Sequence, residues 1–319
     1  MTGWEELLTD HTYRMVVAGT AAIGTVSGAL GVLPYLRKQS LLSDVIAHAA
    51  LPGTLLAFLV GGALLSDGRN MVALMIGAVV VGVLAVGTAQ VITRVSRLRI
   101  DTAMAVTLTT FFGAGMLLLR VISDSALPGK GGIQDYLFGD ASSITIADLT
   151  ASLAAGAVAL TLVGLVWKEA VAHAFDPGFA RTLGLGGRAV DAIVFTALVI
   201  AVVIGVKAVG LVLMVAFVVT PPAAARQWTR SPGGMLLLSA VIGGGGAAGG
   251  AALGIVLGDV PTGPLIVLTL FALFVVSLLC APRRSVIRRG VRRIRARRAL
   301  RRALRSRETH QGGREAVGA

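Results

Sequence analysis

Residues 41–65 read LLSDVIAHAALPGTLLAFLVGGALL. As a helix this run is long enough to cross the hydrocarbon core of a membrane, which takes about 20 residues. It nevertheless carries a carboxylate, Asp44, and an imidazole, His48. Ionisable groups inside a bilayer are costly and mark functional positions by default. At i and i+4 the two share one helix face and can point at the same small object. Pro52 follows four residues later and has no N–H, so the carbonyl of His48 loses its helical partner and is free to face a pathway. A carboxylate oxygen, an imidazole nitrogen and a spare carbonyl suit a divalent metal ion of borderline hardness. The bland alternative is an Asp–His pair that satisfies itself and packs two helices.

The rest of the chain gives that run its context. Of 319 residues, 55% are hydrophobic and 14% charged, with mean hydropathy +0.83. A soluble domain of this size does not have such a balance. Apolar runs lie near 13–36, 41–65, 71–93, 102–122, 146–167, 189–206, 208–225, 234–258 and 262–281. They are continuous rather than alternating, which excludes a transmembrane β-barrel. The expected fold is all-α, a polytopic membrane protein of eight or nine transmembrane helices. The uncertain join is Ile204–Gly210, where Lys207 interrupts a long apolar region. Lys207 there is either an interfacial lysine between two short spans or the end of one span before a re-entrant helix. The first dozen residues carry Glu5, Glu6 and Asp10, so no cleavable signal peptide is expected.

Charge sets the orientation. Residues 283–319 hold fourteen Arg against two Glu, nearly all of the net +13. The linkers 37–40, 93–99, 168–188 and 226–230 carry most of the other basic residues. Basic segments stay in the cytoplasm, which puts the N-terminus outside and the C-terminus inside. The Arg-rich tail also suits anionic lipid headgroups, and no specific nucleic acid is expected. Cys280 is the single cysteine, which excludes an internal disulfide and a cysteine metal cluster.

Other motifs are structural. Gly246, Gly250, Gly254 and Gly258 recur every four residues, a small-residue stripe for close helix packing within the subunit or across a dimer. GLGGRA (184–189) fits a dinucleotide fingerprint in form, but no strand precedes it. Pro128–Gly131 is a turn, and no phosphate loop occurs, so ATP would have to bind another chain. Asp101 reads as an N-cap or a salt-bridge partner of Arg99 or Arg97, and Arg120, Asp148, Glu169 and Asp191 fall near span ends. Asp259 on the outer loop is read as a turn or a binding-protein contact, with an entry ligand as the alternative, and His11 and His173 lie outside the spans. In KEAVAHAFDPGFARTLGLGGRAVD (168–191), Asp176 is an N-cap and Pro177 the first helical residue. Phe179, Ala180 and Leu183 form a short apolar face, and Gly184 stops the helix. Such a helix either docks a soluble partner or lies on the membrane surface.

Several segments together resemble the manganese/zinc/iron permeases of ABC importers. QSLLSDVIAHAALPGTLLAF (39–58) resembles their second-span signature. Asp135–Gly139, FDPGFARTLGL (175–185), IGVKAVGLVLMVAFVVTPPAAARQW (204–228) and GDVPTGPLIVL (258–268) resemble further elements in the same order. The resemblance covers residues 11–281 and leaves the tail outside. It implies a transmembrane permease domain over 13–281, after a short extracytoplasmic lead at 1–12. A cytoplasmic coupling segment would occupy 168–188, and 282–319 would be an Arg-rich tail, partly disordered. It implies transport, not catalysis, in the plasma membrane of a prokaryote, with ATP hydrolysis on a separate cytoplasmic subunit present in two copies. Further partners would be an extracytoplasmic metal-binding protein and a second permease copy or paralogue. No cofactor is bound permanently; the ion is cargo. Asp44 and His48 would hold it in passage, and Asp176, Pro177, Phe179, Ala180, Leu183 and Gly184 would couple to the ATPase. Ion passage should weaken in acid, since a protonated imidazole cannot ligate. Gly178 stands where the family often has Glu, which leaves the detail of the ATPase contact open; Ser43 stands where Gly is frequent, a small change that is expected to be tolerated. Two other classes stay in view: an ABC permease for a chelated metal or cobalamin-like cargo, and a proton-coupled secondary transporter.

Overall fold

Lipid offers no hydrogen-bond partners, so apolar runs must close their backbone bonds internally, and helices do this. The computed structural model describes residues 11–64, 71–125, 146–258 and 260–281. These form twelve helices and no strand. They are α1 (His11–Leu30), α2 (Val32–Leu36), α3 (Leu42–Leu64), α4 (Met71–Val95), α5 (Ile100–Asp124) and α6 (Ile146–Leu165). There follow α7 (Trp167–Phe175), α8 (Pro177–Thr182), α9 (Gly187–Val209), α10 (Leu211–Ala225), α11 (Pro232–Leu257) and α12 (Thr262–Cys280). The N-terminal lead, the Pro128–Gly131 turn, the Asp135–Gly139 element, Asp259 and the Arg-rich tail lie outside the described residues. So does the side chain of Lys207.

Seven helical stretches are long and apolar enough to cross a membrane. An eighth is the pair α6–α7, bent by 66°. The ninth apolar run is different. Gly210 takes φ 86°, a region that favours glycine, and α10 begins directly after it. With 15 residues α10 is about 22 Å long, short of a span of about 30 Å. Of the eight or nine spans expected, seven are single long helices among the described residues, the bent α6–α7 pair makes an eighth if it is one span, and α10 is too short to make a ninth. It ends where Ala225 packs with Val32 and Met235, beside Tyr35 and Leu36.

Core packing centres on α3, α9 and α10, where Val45, Ile46, Val199, Val202, Met214 and Phe217 are completely buried. Small residues let the helices approach closely. The carbonyl of Gly77 on α4 lies 2.5 Å from where a Cβ on Gly53 would stand. Gly24 on α1 meets Gly243 on α11, and Ser239 Oγ donates to the carbonyl of Gly28. On the other face of α11, Gly246, Gly250 and Gly254 meet Leu270, Ile266 and Thr262 of α12. The stripe therefore packs within the subunit. Gly258 does not share that contact: it closes α11 at φ 78° with open space around it.

The basic linkers gather at one end of the bundle. Tyr35, Lys38, Ser40, Asp101, Phe175 and Arg226 line one cleft of about 810 Å³ there. Arg37 at the end of α2 reaches Asp191 near the start of α9, 2.7 Å away, and lies over the Phe195 ring at 5.6 Å.

Candidate functional site

The Asp44–His48 pair is set by where α3 starts and what clamps it. Leu42 N–H donates to the Gln39 carbonyl, and Val45 N–H to that of Leu41, so Asp44 falls in the first helical turn. A carboxylate is favoured there by the N-terminal end of the helix dipole. Pro52 sits inside α3, a placement that costs about 3 kcal/mol in an isolated helix. Packing holds the helix through it: Leu51 and Pro52 abut Gly115 of α5, and Gly53 abuts α4.

On this helix His48 Nε2 stands 3.3 Å from Asp44 Oδ1. The imidazole meets the Phe112 ring of α5 edge-on, centroids 4.8 Å apart and planes at 75°. The side chains are 19% and 28% exposed for His48 and Asp44, and neighbouring α3 residues are mostly buried. The pair therefore looks out of the bundle along α5. His48 Nδ1 is buried without a hydrogen-bond partner, a costly state for a polar nitrogen. An ion about 2.1 Å from both Nε2 and Oδ1 would see them at an angle of about 104°, within the range of tetrahedral and octahedral sites. Among the described residues no group of three or more His, Cys, Asp or Glu could hold a metal ion. Among the described residues this site thus offers two side-chain ligands.

The second sequence-read site is α8. Asp176 caps it by accepting from Phe179 N–H at 2.9 Å, with Pro177 at the first helical position. Gly184 follows at φ 71° and ends the turn. Phe179 and Leu183 are each 58% exposed, whereas Ala180 is fully buried. The exposed apolar residues are instead Phe175, Phe179 and Leu183. Ala180 is the residue that seats α8 on the protein. A Cβ on Gly178 would stand 3.2 Å from Asp176 Oδ1, close enough that the capping carboxylate would have to shift slightly.

This architecture has counterparts. Residues 9–281 match the ABC 3 transport family. The chain belongs to that family. It is 36% identical, over 92% of its length and 66% of the relative's, to the manganese transport system membrane protein MntC of Bacillus subtilis. It is 34% identical to the zinc transport system membrane protein TroC of Treponema pallidum, over 88% of this chain and 93% of that one. The solved structure of PsaBC from Streptococcus pneumoniae in complex with Fab superposes with a TM-score of 0.75 at 27% identity. That match covers 90% of this chain and 98% of the other. As an ABC 3 member the chain is an all-helical transport permease.

Three contacts of this family member escaped the sequence. Phe175 ends α7, across the break at Asp176 from α8, so helical spacing does not place it beside Phe179 and Leu183. Phe112 and the Arg37–Asp191 pair join residues far apart in the chain, and no local pattern announces them.

Proposed function

We propose that this chain is the membrane-spanning permease subunit of an ATP-driven importer for divalent transition-metal ions: manganese, zinc or iron. The observation that carries this reading is the Asp44–His48 pair, held 3.3 Å apart on α3 of an ABC 3 family protein. A carboxylate and an imidazole without thiolates bind such ions with moderate strength, and passage needs a site that admits the ion and then lets it go. The names of the relatives, manganese and zinc transport proteins, point to the same cargo class.

In this reading a second permease copy or paralogue places its own ligands opposite these, and an extracytoplasmic metal-binding protein delivers the ion. Two copies of a cytoplasmic ATPase seat the exposed Phe175, Phe179 and Leu183. Closure of the ATPases on ATP moves α8 and shifts the pore between its outward and inward states. The complex resides in the plasma membrane of a prokaryote.

Uptake of radioactive manganese and zinc by cells expressing the whole transporter tests the reading, with Asp44→Ala and His48→Ala compared at equal membrane abundance. Loss of uptake of one ion in both variants names the cargo and the path. Unchanged uptake of both ions makes the pair a packing contact and removes the proposal's support.

A further inference from the structure

Helices α4 and α9 touch and then part. They meet where Gly82 faces Val199, whose Cγ1 is 2.9 Å from the position of a Gly82 Cβ. Toward the basic end they enclose a groove of about 200 Å³. Its walls carry Val83, Val86, Thr196 and Phe195 on the side of the contact, and Gln90 toward the mouth. Arg94 of α4 and Arg188 of α9 stand at the mouth. They lie twelve and eleven residues from the Gly82–Val199 contact, hence about 18 Å and 16 Å along their helices, on opposite walls at matching depth.

The charge there is unbalanced. Neither arginine has an ion-pair partner among the described residues. The one carboxylate in the groove, Asp191, is engaged by Arg37, which is itself only 9% exposed. Arg37 balances the Asp191 charge, so Arg94 and Arg188 leave the mouth positive. Halfway down the groove Gly87 is exposed, with nothing within 4 Å of where its Cβ would be. The missing side chain leaves a notch in the α4 wall.

We infer that this groove binds one anionic phospholipid, its phosphate between Arg94 and Arg188 and an acyl chain over Gly87 toward the Gly82–Val199 contact. Two guanidiniums suit a single phosphodiester, since each can donate two parallel hydrogen bonds to its oxygens. Basic pockets between membrane helices at the cytoplasmic level recognise anionic headgroups. The apolar wall selects a lipid over a free phosphate, because a soluble anion would leave that surface facing nothing it can satisfy. The inference does not depend on which cargo the protein carries.

Titration of the delipidated full-length chain with dioleoylphosphatidylglycerol or dioleoylphosphatidylcholine, read by native mass spectrometry, tests it. Wild type should hold one phosphatidylglycerol about tenfold more tightly than the Arg94→Gln/Arg188→Gln variant, with phosphatidylcholine alike in both. The Arg-rich tail is common to every variant and cancels. Gly87→Phe fills the notch while leaving both arginines, and should lose the same lipid. Arg94→Lys/Arg188→Lys keeps the charge and should retain most of the binding. Equal phosphatidylglycerol binding by wild type and the glutamine variant overturns the inference. So does full binding by Gly87→Phe, which would mean surface charge without a groove. Displacement of the lipid from wild type by inorganic phosphate would make a free anion the ligand and overturn it as well.

Discussion

Arg37 and Asp191 stand 154 positions apart and meet at 2.7 Å. Arg37 is nearly buried, so the pair is unlike a surface salt bridge, where solvent screens most of the gain. Removing the carboxylate leaves a buried guanidinium uncompensated. Asp191→Ala is therefore expected to destabilise the protein by about 3 kcal/mol. Removing both charges should cost less, because an apolar pair leaves nothing unpaired; Arg37→Met/Asp191→Leu is the comparison. Thermal unfolding of the detergent-solubilised protein measures both. A double variant less stable than Asp191→Ala would show that the arginine acts through contacts other than this carboxylate. The contrast with Asp44 and His48 explains what the sequence could disclose. Those two lie on one turn of one helix, so their juxtaposition follows from i, i+4 spacing alone. The Arg37–Asp191 contact depends on how α9 packs against the α1–α2 arm, which no one-dimensional pattern encodes.

At the level of elements, apolar run length located the spans well and their interruptions poorly. The run at 262–281 is α12 to within a residue. The run at 146–167 instead bends by 66° at Val166, and the helix resumes through Phe175. No proline marks that bend, and Gly164, two residues before it, is one of many glycines in apolar runs that do not break. The 208–225 run is a short helix because Gly210 turns the chain, and an apolar count cannot see a dihedral angle. Close approach between elements is similarly invisible until two glycines are seen facing each other. A Cβ on Gly77 would stand 2.5 Å from the Ala57 Cβ and 2.6 Å from the Gly53 carbonyl, so α4 could not stay where it is against α3. Gly77→Leu is expected to lower stability by about 2 kcal/mol through overpacking. Gly164→Ala, facing open space, should leave it equal or slightly raised, since alanine is the better helix former. Equal unfolding midpoints for the two variants would refute the close-packing account. The α8 stripe makes a separate demand. Exposed Phe179 and Leu183 contribute nothing to the isolated chain's core, so Phe179→Asp should leave the unfolding midpoint unchanged. In the proposed importer it should abolish co-purification of the ATPase, because a large apolar anchor at an interface carries a disproportionate share of binding. Retention of the ATPase by this variant would move the docking surface away from α8.

For the whole molecule, the number of ligands bears on assembly. In the proposed importer, the one carboxylate and one imidazole that the described residues gather at the site cannot complete the shell of an ion that takes four to six donors. Two-fold symmetry about an axis near the pair doubles the set without any new residue. The surface next to the pair fits such an axis. His48 packs on Phe112 of α5, and the outer face of α5 carries Ala105, Thr109 and Gly113, exposed and spaced four apart. The Thr109 hydroxyl is already satisfied, donating to the carbonyls of Ala105 and Val106, so the stripe asks for close packing rather than a polar partner. Small residues at that spacing allow two helices to approach within disulfide reach, a Cα separation under about 7 Å. Cys280 is the single native thiol and is exposed, so its replacement by serine gives a clean background. In that background Thr109→Cys is expected to form a disulfide-linked dimer on oxidation in native membranes. Val241→Cys, on an exposed part of α11, should not. Non-reducing electrophoresis reads the outcome. The reverse pattern would put the axis on α11 and leave Asp44 and His48 facing lipid, where two ligands could neither gather an ion nor pass it on.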